Sequence, residues 1–137
     1  MQLIQQQRAK FALRKVIEAK DAGVNQKEYI SYASSLPAMI HTNGLGQAAA
    51  FFKSKKAKDG QPKTTHEYLY QLLSDWLQQD DQPFAKKDLL DGITSASMKD
   101  YRLAQAEAQA LMDWVKKFAK AYMKAEESKQ EQSNGTT

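Results

Sequence analysis

The chain has 137 residues, of which 42% are hydrophobic and 26% charged, a net charge of +4 and no cysteine. That length fits one domain with one core, and the missing cysteines exclude disulfides, thiolate metal sites and cysteine nucleophiles. The longest apolar run, residues 48–52, is five residues against the roughly 20 that span a bilayer, and MQLIQQQRAK has no apolar signal core, so a cytoplasmic protein without a membrane partner is expected.

Helical periodicity runs through the sequence. In the first segment Ala9, Ala12, Leu13, Val16 and Ile17 recur at steps of three and four, with Arg8, Lys10, Arg14 and Lys15 on the other sides. Gly23 ends this predicted helix and Asn25 caps the next. The second carries Tyr29, Ile30, Ala33, Leu36 and Ile40 on one stripe. Pro37 lacks an N–H and crowds the preceding turn. It predicts either a kink near residues 34–36 or a new short helix with Pro37 in its first turn. Gly44 then ends the helix with a left-handed residue.

A third helix is predicted over residues 45–55, followed by a turn cluster at residues 59–62. Thr64 and Glu67 have the spacing of a capping box ahead of Tyr68, Leu69, Leu72, Leu73, Trp76 and Leu77, an amphipathic fourth helix. Pro83 breaks the chain, and a short helix is expected over residues 84–90, ending at Gly92. Ser97 caps the last and longest helix, predicted over residues 98–126. There Tyr101, Ala104, Ala108, Leu111, Val115, Phe118 and Tyr122 form a heptad seam, with small residues first and aromatics last, as packing inside a bundle requires. No run alternates with period two. The expectation is an all-α, compact single-domain bundle of five or six helices over residues 1–127, with a disordered polar tail at 128–137.

The inventory for chemistry is thin. His41 and His66 have no second histidine at helical spacing, so no metal site is expected. No nucleophile elbow is present. Asp80 and Asp81 read as a solvated loop before Pro83. No cofactor and no catalytic residue are assigned. Gly44-Leu45-Gly46 leaves two readings open. A glycine-flanked helix start admits a phosphate to its free N–H groups, with Gln47 as an added donor. Alternatively, Gly44 supplies a positive φ and Gly46 a close helix approach.

The charge is unevenly distributed: residues 1–20 and 41–63 are basic, whereas 64–100 are acidic. Two readings of this stand, a polyanion-binding face and ordinary surface variation. For the first, the candidates are Arg8, Arg14 and Lys15 on the first helix and Lys53, Lys55, Lys56 and Lys58 at the end of the third. Lys116, Lys117, Lys120 and Lys124 lie toward the end of the last. If they converge they suit a nucleic-acid backbone. No RNP aromatic pair or GXXG loop is seen, so contacts would go to phosphates rather than base edges.

Two blocks carry a family likeness. LPAMIHTNGLGQAAAFFKSK (residues 36–55) and YRLAQAEAQALMDWVKKFA (residues 101–119) resemble the small subunit of the type III-B CRISPR effector, the Cmr complex. The shared features are a Leu-Pro segment, an Asn-Gly-Leu-Gly-Gln turn, an aromatic pair before a lysine-rich loop, and a Tyr-Arg-Leu-Ala start to a long basic-ended helix. The resemblance spans most of residues 8–120.

It implies a noncatalytic helical scaffold that stacks head to tail with copies of itself beside the other Cmr subunits. That filament would line the channel where target RNA pairs with guide RNA. Arg8, Arg14, Lys15, Gln47, Lys53, Lys55, Lys56, Arg102, Lys116 and Lys117 are then the expected contacts to the RNA backbones. For Arg102, a phosphate contact and pairing with Asp100 or Glu107 are both open. The rival to this reading is a helical protein-interaction adaptor whose lysines only solubilise it.

Overall fold

The computed structural model describes residues 2–125; the polar tail expected at 128–137 lies outside them. Five helices appear in chain order: α1 (Ile4–Asp21), α2 (Gln26–Ser54), α3 (Thr65–Leu77), α4 (Leu89–Ser95) and α5 (Met98–Tyr122). No strand occurs among the described residues. The all-α bundle with a long final helix is therefore as the periodicity predicts.

The caps sit where their side chains dictate. Asn25 accepts from the Glu28 N–H and starts α2. Thr64 Oγ1 accepts from the Glu67 N–H while the Glu67 carboxylate accepts from the Thr64 N–H, a closed capping box on α3. Ser97 accepts from the Asp100 N–H and starts α5. Each satisfies an N–H that the first helical turn leaves without a partner.

Three expectations about helix limits need correction. Pro37 does not restart α2; the helix runs through it, and the only non-helical residue inside is Gly44, at φ 86° and ψ 157°. Proline removes a single helical bond, the one to the Ala33 carbonyl, and the Pro37 carbonyl is held by the Gln109 side-chain amide at 3.1 Å. The short helix begins at Leu89, not near Phe84, because residues 79–87 form turns. Gly92 lies within it rather than ending it. A Cβ at Gly92 would fall 2.4 Å from Phe84 Cγ, so the missing side chain makes room for that ring. Finally, α5 ends at Tyr122.

One core joins all five helices. Helix α5 packs along both α1 and α2, and α3 closes against α2. Ala104, Ala108, Leu111, Val115 and Ala119 are fully buried on the inner face of α5. The small side chains at 104, 108 and 119 let the neighbouring backbones approach. At the seam's ends Tyr101 and Phe118 are half-buried and Tyr122 is exposed. Helices α1 and α5 run in the same direction: Arg8 meets Glu107 near one end, and the Lys124 N–H reaches Gln26 near the other.

The turns at residues 79–87 are tied down by a small buried polar group. Ser74 is fully buried; its hydroxyl accepts from the Leu89 N–H and donates to Asp88. The Tyr70 hydroxyl donates to the same carboxylate at 2.7 Å. That arrangement fixes the entry into α4 against the middle of α3.

Candidate nucleic-acid interface

Helices α1 and α3 touch only sparsely, and the seam between them is a groove. Two concavities lie in it, and it continues along α3 into another between the end of α2 and α3. Taken from that end, the first is lined by Lys53, Lys56, Lys63, Glu67, Tyr70 and Gln71. The second shares Lys63 and Gln71 with it and adds Lys15, Glu18 and Asp75. The third, about 410 Å³, is lined by Lys10, Phe11, Arg14, Trp76 and Gln79 among others. Residues 67, 71 and 75 are one helical turn apart on α3, and Gln79 follows just beyond its end, so together they form the floor on which these cations are set out. Lys53, Lys56, Lys63, Lys15, Arg14 and Lys10 thus lie in sequence along a single groove.

Local interactions hold the lysine-rich end. Residue Ser54 is the last of α2, and the chain beyond it is clamped to the start of α3. Thr64 Oγ1 donates to the Lys55 carbonyl at 2.7 Å, and the Ala57 N–H donates to Glu67 at 2.9 Å. Hydrogen bonds from the Thr64 backbone hold the Glu67 carboxyl below its usual range, with Ala57 and the Lys63 charge acting in the same sense. The ammonium groups rest on rings: Lys53 lies 4.8 Å from the Tyr70 centroid and Lys63 lies 4.5 Å from that of Tyr68. Such contacts orient a cation while leaving its N–H donors available. Among the described residues, no ion pair engages Lys53, Lys55, Lys56 or Lys63.

The middle of the groove is partly neutralised. Lys15 bonds Asp75 at 2.8 Å and lies 3.8 Å from Glu18. Arg14 approaches Glu18 at 3.8 Å, a loose exposed pair of little energetic weight. Both cations also lie over the Phe11 ring, at 5.2 and 5.5 Å.

Of the residues nominated from sequence, Arg14, Lys15, Lys53 and Lys56 come together here, whereas Lys55 lies over Phe51. Lys10 and Lys63 belong to the groove and were not nominated; only the meeting of α1 with α3 reveals them. Arg8 is turned inward, in a two-point ion pair with Glu107 at 2.6 and 2.9 Å. Arg102 is exposed and, among the described residues, pairs with neither Asp100 nor Glu107. Arg102, Lys116 and Lys117 ride α5, and none lines the groove's concavities. Gln47 lines a separate concavity with Met39, Asn43 and Phe51.

The glycine turn resolves in favour of packing. The Leu45 N–H donates to Gln105 Oε1 at 2.9 Å and the Gly46 N–H to the Tyr101 hydroxyl at 2.8 Å. The amides a phosphate would use are taken by α5. Gly44 adopts a backbone region open essentially only to glycine. A Cβ at Gly46 would stand 3.3 Å from Ile93 Cγ2, which is the close approach expected.

A sequence model of a CRISPR-associated protein family (Cas_Cmr5) matches residues 4–122. The chain belongs to the Cmr5 family. Its fold is similar to that of a CRISPR-associated Cmr5 family protein from Thermus thermophilus, with a TM-score of 0.69 and 28% identity over 90% of this chain and 100% of that one. Cmr5 membership supports the assignment as the small subunit of a type III-B Cmr complex, partnered by that complex's other subunits. The match to the Cmr5 model takes in α1 through α5, and so every groove residue named above.

Proposed function

We propose that this chain is a noncatalytic structural subunit of a type III-B CRISPR effector whose α1–α3 groove faces the phosphates of the RNA. The observation that carries this is the run of Lys53, Lys56, Lys63, Lys15 and Arg14 along one groove. A sugar-phosphate chain needs regularly placed cations without a shape-specific pocket. The inventory also favours a scaffold: the histidines do not face one another, and His66 is packed among Tyr32, Phe51 and Phe52. Copies of the chain stack in the assembly, with exposed Met98 and Leu103 as apolar contact area and the acidic residues 64–100 toward a basic face of the neighbour.

The test uses the assembled effector carrying Lys53→Glu, Lys55→Glu and Lys56→Glu. Target-RNA affinity is expected to fall, and its dependence on log salt to become shallower by about 0.7 per lost phosphate contact on a single strand. Unchanged affinity in a complex that still assembles would overturn the RNA-facing reading. It would leave a helical adaptor whose lysines only solubilise it.

A further inference from the structure

On α2, on both sides of the break at Gly44, Met39, Asn43, Gln47 and Phe51 line an open concavity of about 510 Å³. That is within the range of small-molecule sites, roughly 300–1,000 Å³. Phe51 is 43% exposed, an unusual position for a phenylalanine beside a buried Phe52. Its ring does not hang free. Phe52 and His66 make T-shaped contacts with it, with centroids 6.0 Å away in each case, and the Lys55 ammonium lies 5.2 Å from its centroid.

We propose that this concavity takes an unstacked nucleobase of single-stranded RNA, laid on the Phe51 ring, with the nucleotide's phosphate on Lys55. This rests on the RNA-facing reading above and adds a contact that phosphate tracking does not require. Three features favour this occupant over an apolar side chain. A pre-oriented aromatic ring is a stacking platform for any base. The Asn43 and Gln47 side-chain amides each offer donors and an acceptor, the complement of a base edge and of no use to a methyl group. The adjacent cation matches a phosphate.

The test is an NMR titration of the full chain with uridine 5′-monophosphate and, separately, ribose 5-phosphate. The base-bearing ligand is expected to shift the Asn43 and Gln47 side-chain amides and the Phe51 ring protons; ribose 5-phosphate should shift only signals around Lys55. Phe51→Ala, at an exposed position, should weaken base-dependent binding roughly tenfold and leave the phosphate response in place. Gln47→Ala should weaken it while retaining the ring shifts. Identical responses to both ligands would overturn the base site and leave the phosphate reading standing. Signals at 43, 47 and 51 that move on dilution of the chain but not with the nucleotide would assign the face to a second copy, and so overturn it too. No response to either ligand would also overturn it, while the RNA-facing reading would still be decided by the assembled effector.

Discussion

Arg8 on α1 and Glu107 on α5 form a two-point ion pair in which both side chains are largely buried, 17% and 15% exposed. The same carboxylate accepts from Trp76 Nε1 at 2.9 Å, so it joins α1, α3 and α5. Burial pushes the Glu107 carboxyl up, but the bonds from Arg8 and Trp76 outweigh that and hold it below its usual range. The bond to Glu107 correspondingly raises Arg8. Arg8 is thus a structural cation. Glu107→Ala strands a guanidinium and an indole N–H and is expected to cost toward the low end of the roughly 3–5 kcal/mol typical of breaking a buried pair. Replacing both partners, Arg8→Met with Glu107→Leu, should recover part of that loss. Chemical denaturation of the variants checks this; a Glu107→Ala midpoint equal to wild type would refute the structural role.

Lys63 lines both of the concavities nearest the lysine-rich end, whereas Lys117 lines none of the groove's concavities. Charge reversal at the two positions separates geometry from net charge, because both variants change the total equally. Lys63→Glu is expected to weaken target-RNA binding by the assembled effector several-fold and to lower the salt slope. Lys117→Glu should do much less. Equal losses would point to a general electrostatic effect and against a defined track.

The parts legible in the sequence are those decided within a few residues. Asn25, Thr64 with Glu67, and Ser97 cap their helices because the bonds span three positions. Gly44 breaks α2 for a local backbone reason. What was not legible depends on distant partners. The continuity of α2 past Pro37 depends on packing against α5, including Gln109, which the local rule for proline does not include. The basic residues of α1 and of the α2–α3 connection were visible as types, but only the α1–α3 seam sets them in one line and brings in Lys10 and Lys63. Arg8 had the same sequence character as Arg14, and its removal from the surface depends on a glutamate 99 positions away.

Gly92 offers a test of packing against propensity. In an exposed helix interior, alanine is better than glycine by about 1 kcal/mol. Here a Cβ would lie 2.4–2.8 Å from Phe84, a buried ring. Overpacking of that kind costs about 1–3 kcal/mol, so Gly92→Ala is expected to destabilise the fold despite the helical gain. In a Phe84→Ala background, which removes Cγ and Cδ2 and leaves only the contact with Cβ at 2.8 Å, the same change should cost less. Thermal or denaturant unfolding of the four proteins gives the coupling. A Gly92→Ala protein more stable than wild type would show that the Phe84 ring moves aside freely.

His66 supplies a pH dependence with a defined sign. Its ring lies 4.4 Å from Tyr32 and 4.9 Å from Phe52. Burial first, and the Lys55 charge second, lower its pKa from the ordinary 6.5, against a weaker opposing pull from Glu28. The unfolded chain therefore binds a proton more readily than the folded one, and stability rises with pH across this window. The contribution is fully present above about pH 6.5 and is lost as pH falls through the lower, folded value. Glu67 and Glu107, both lowered from 4.5, act in the same direction but at more acidic pH, so the range from about pH 5 to 7 isolates the histidine. His66→Phe keeps the aromatic packing without a titratable group. Denaturation of wild type and variant across that range is expected to show a slope in the first that is reduced in the second. Parallel slopes would mean that His66 is solvated in the folded protein and that its contacts with Tyr32 and Phe52 do not exclude water.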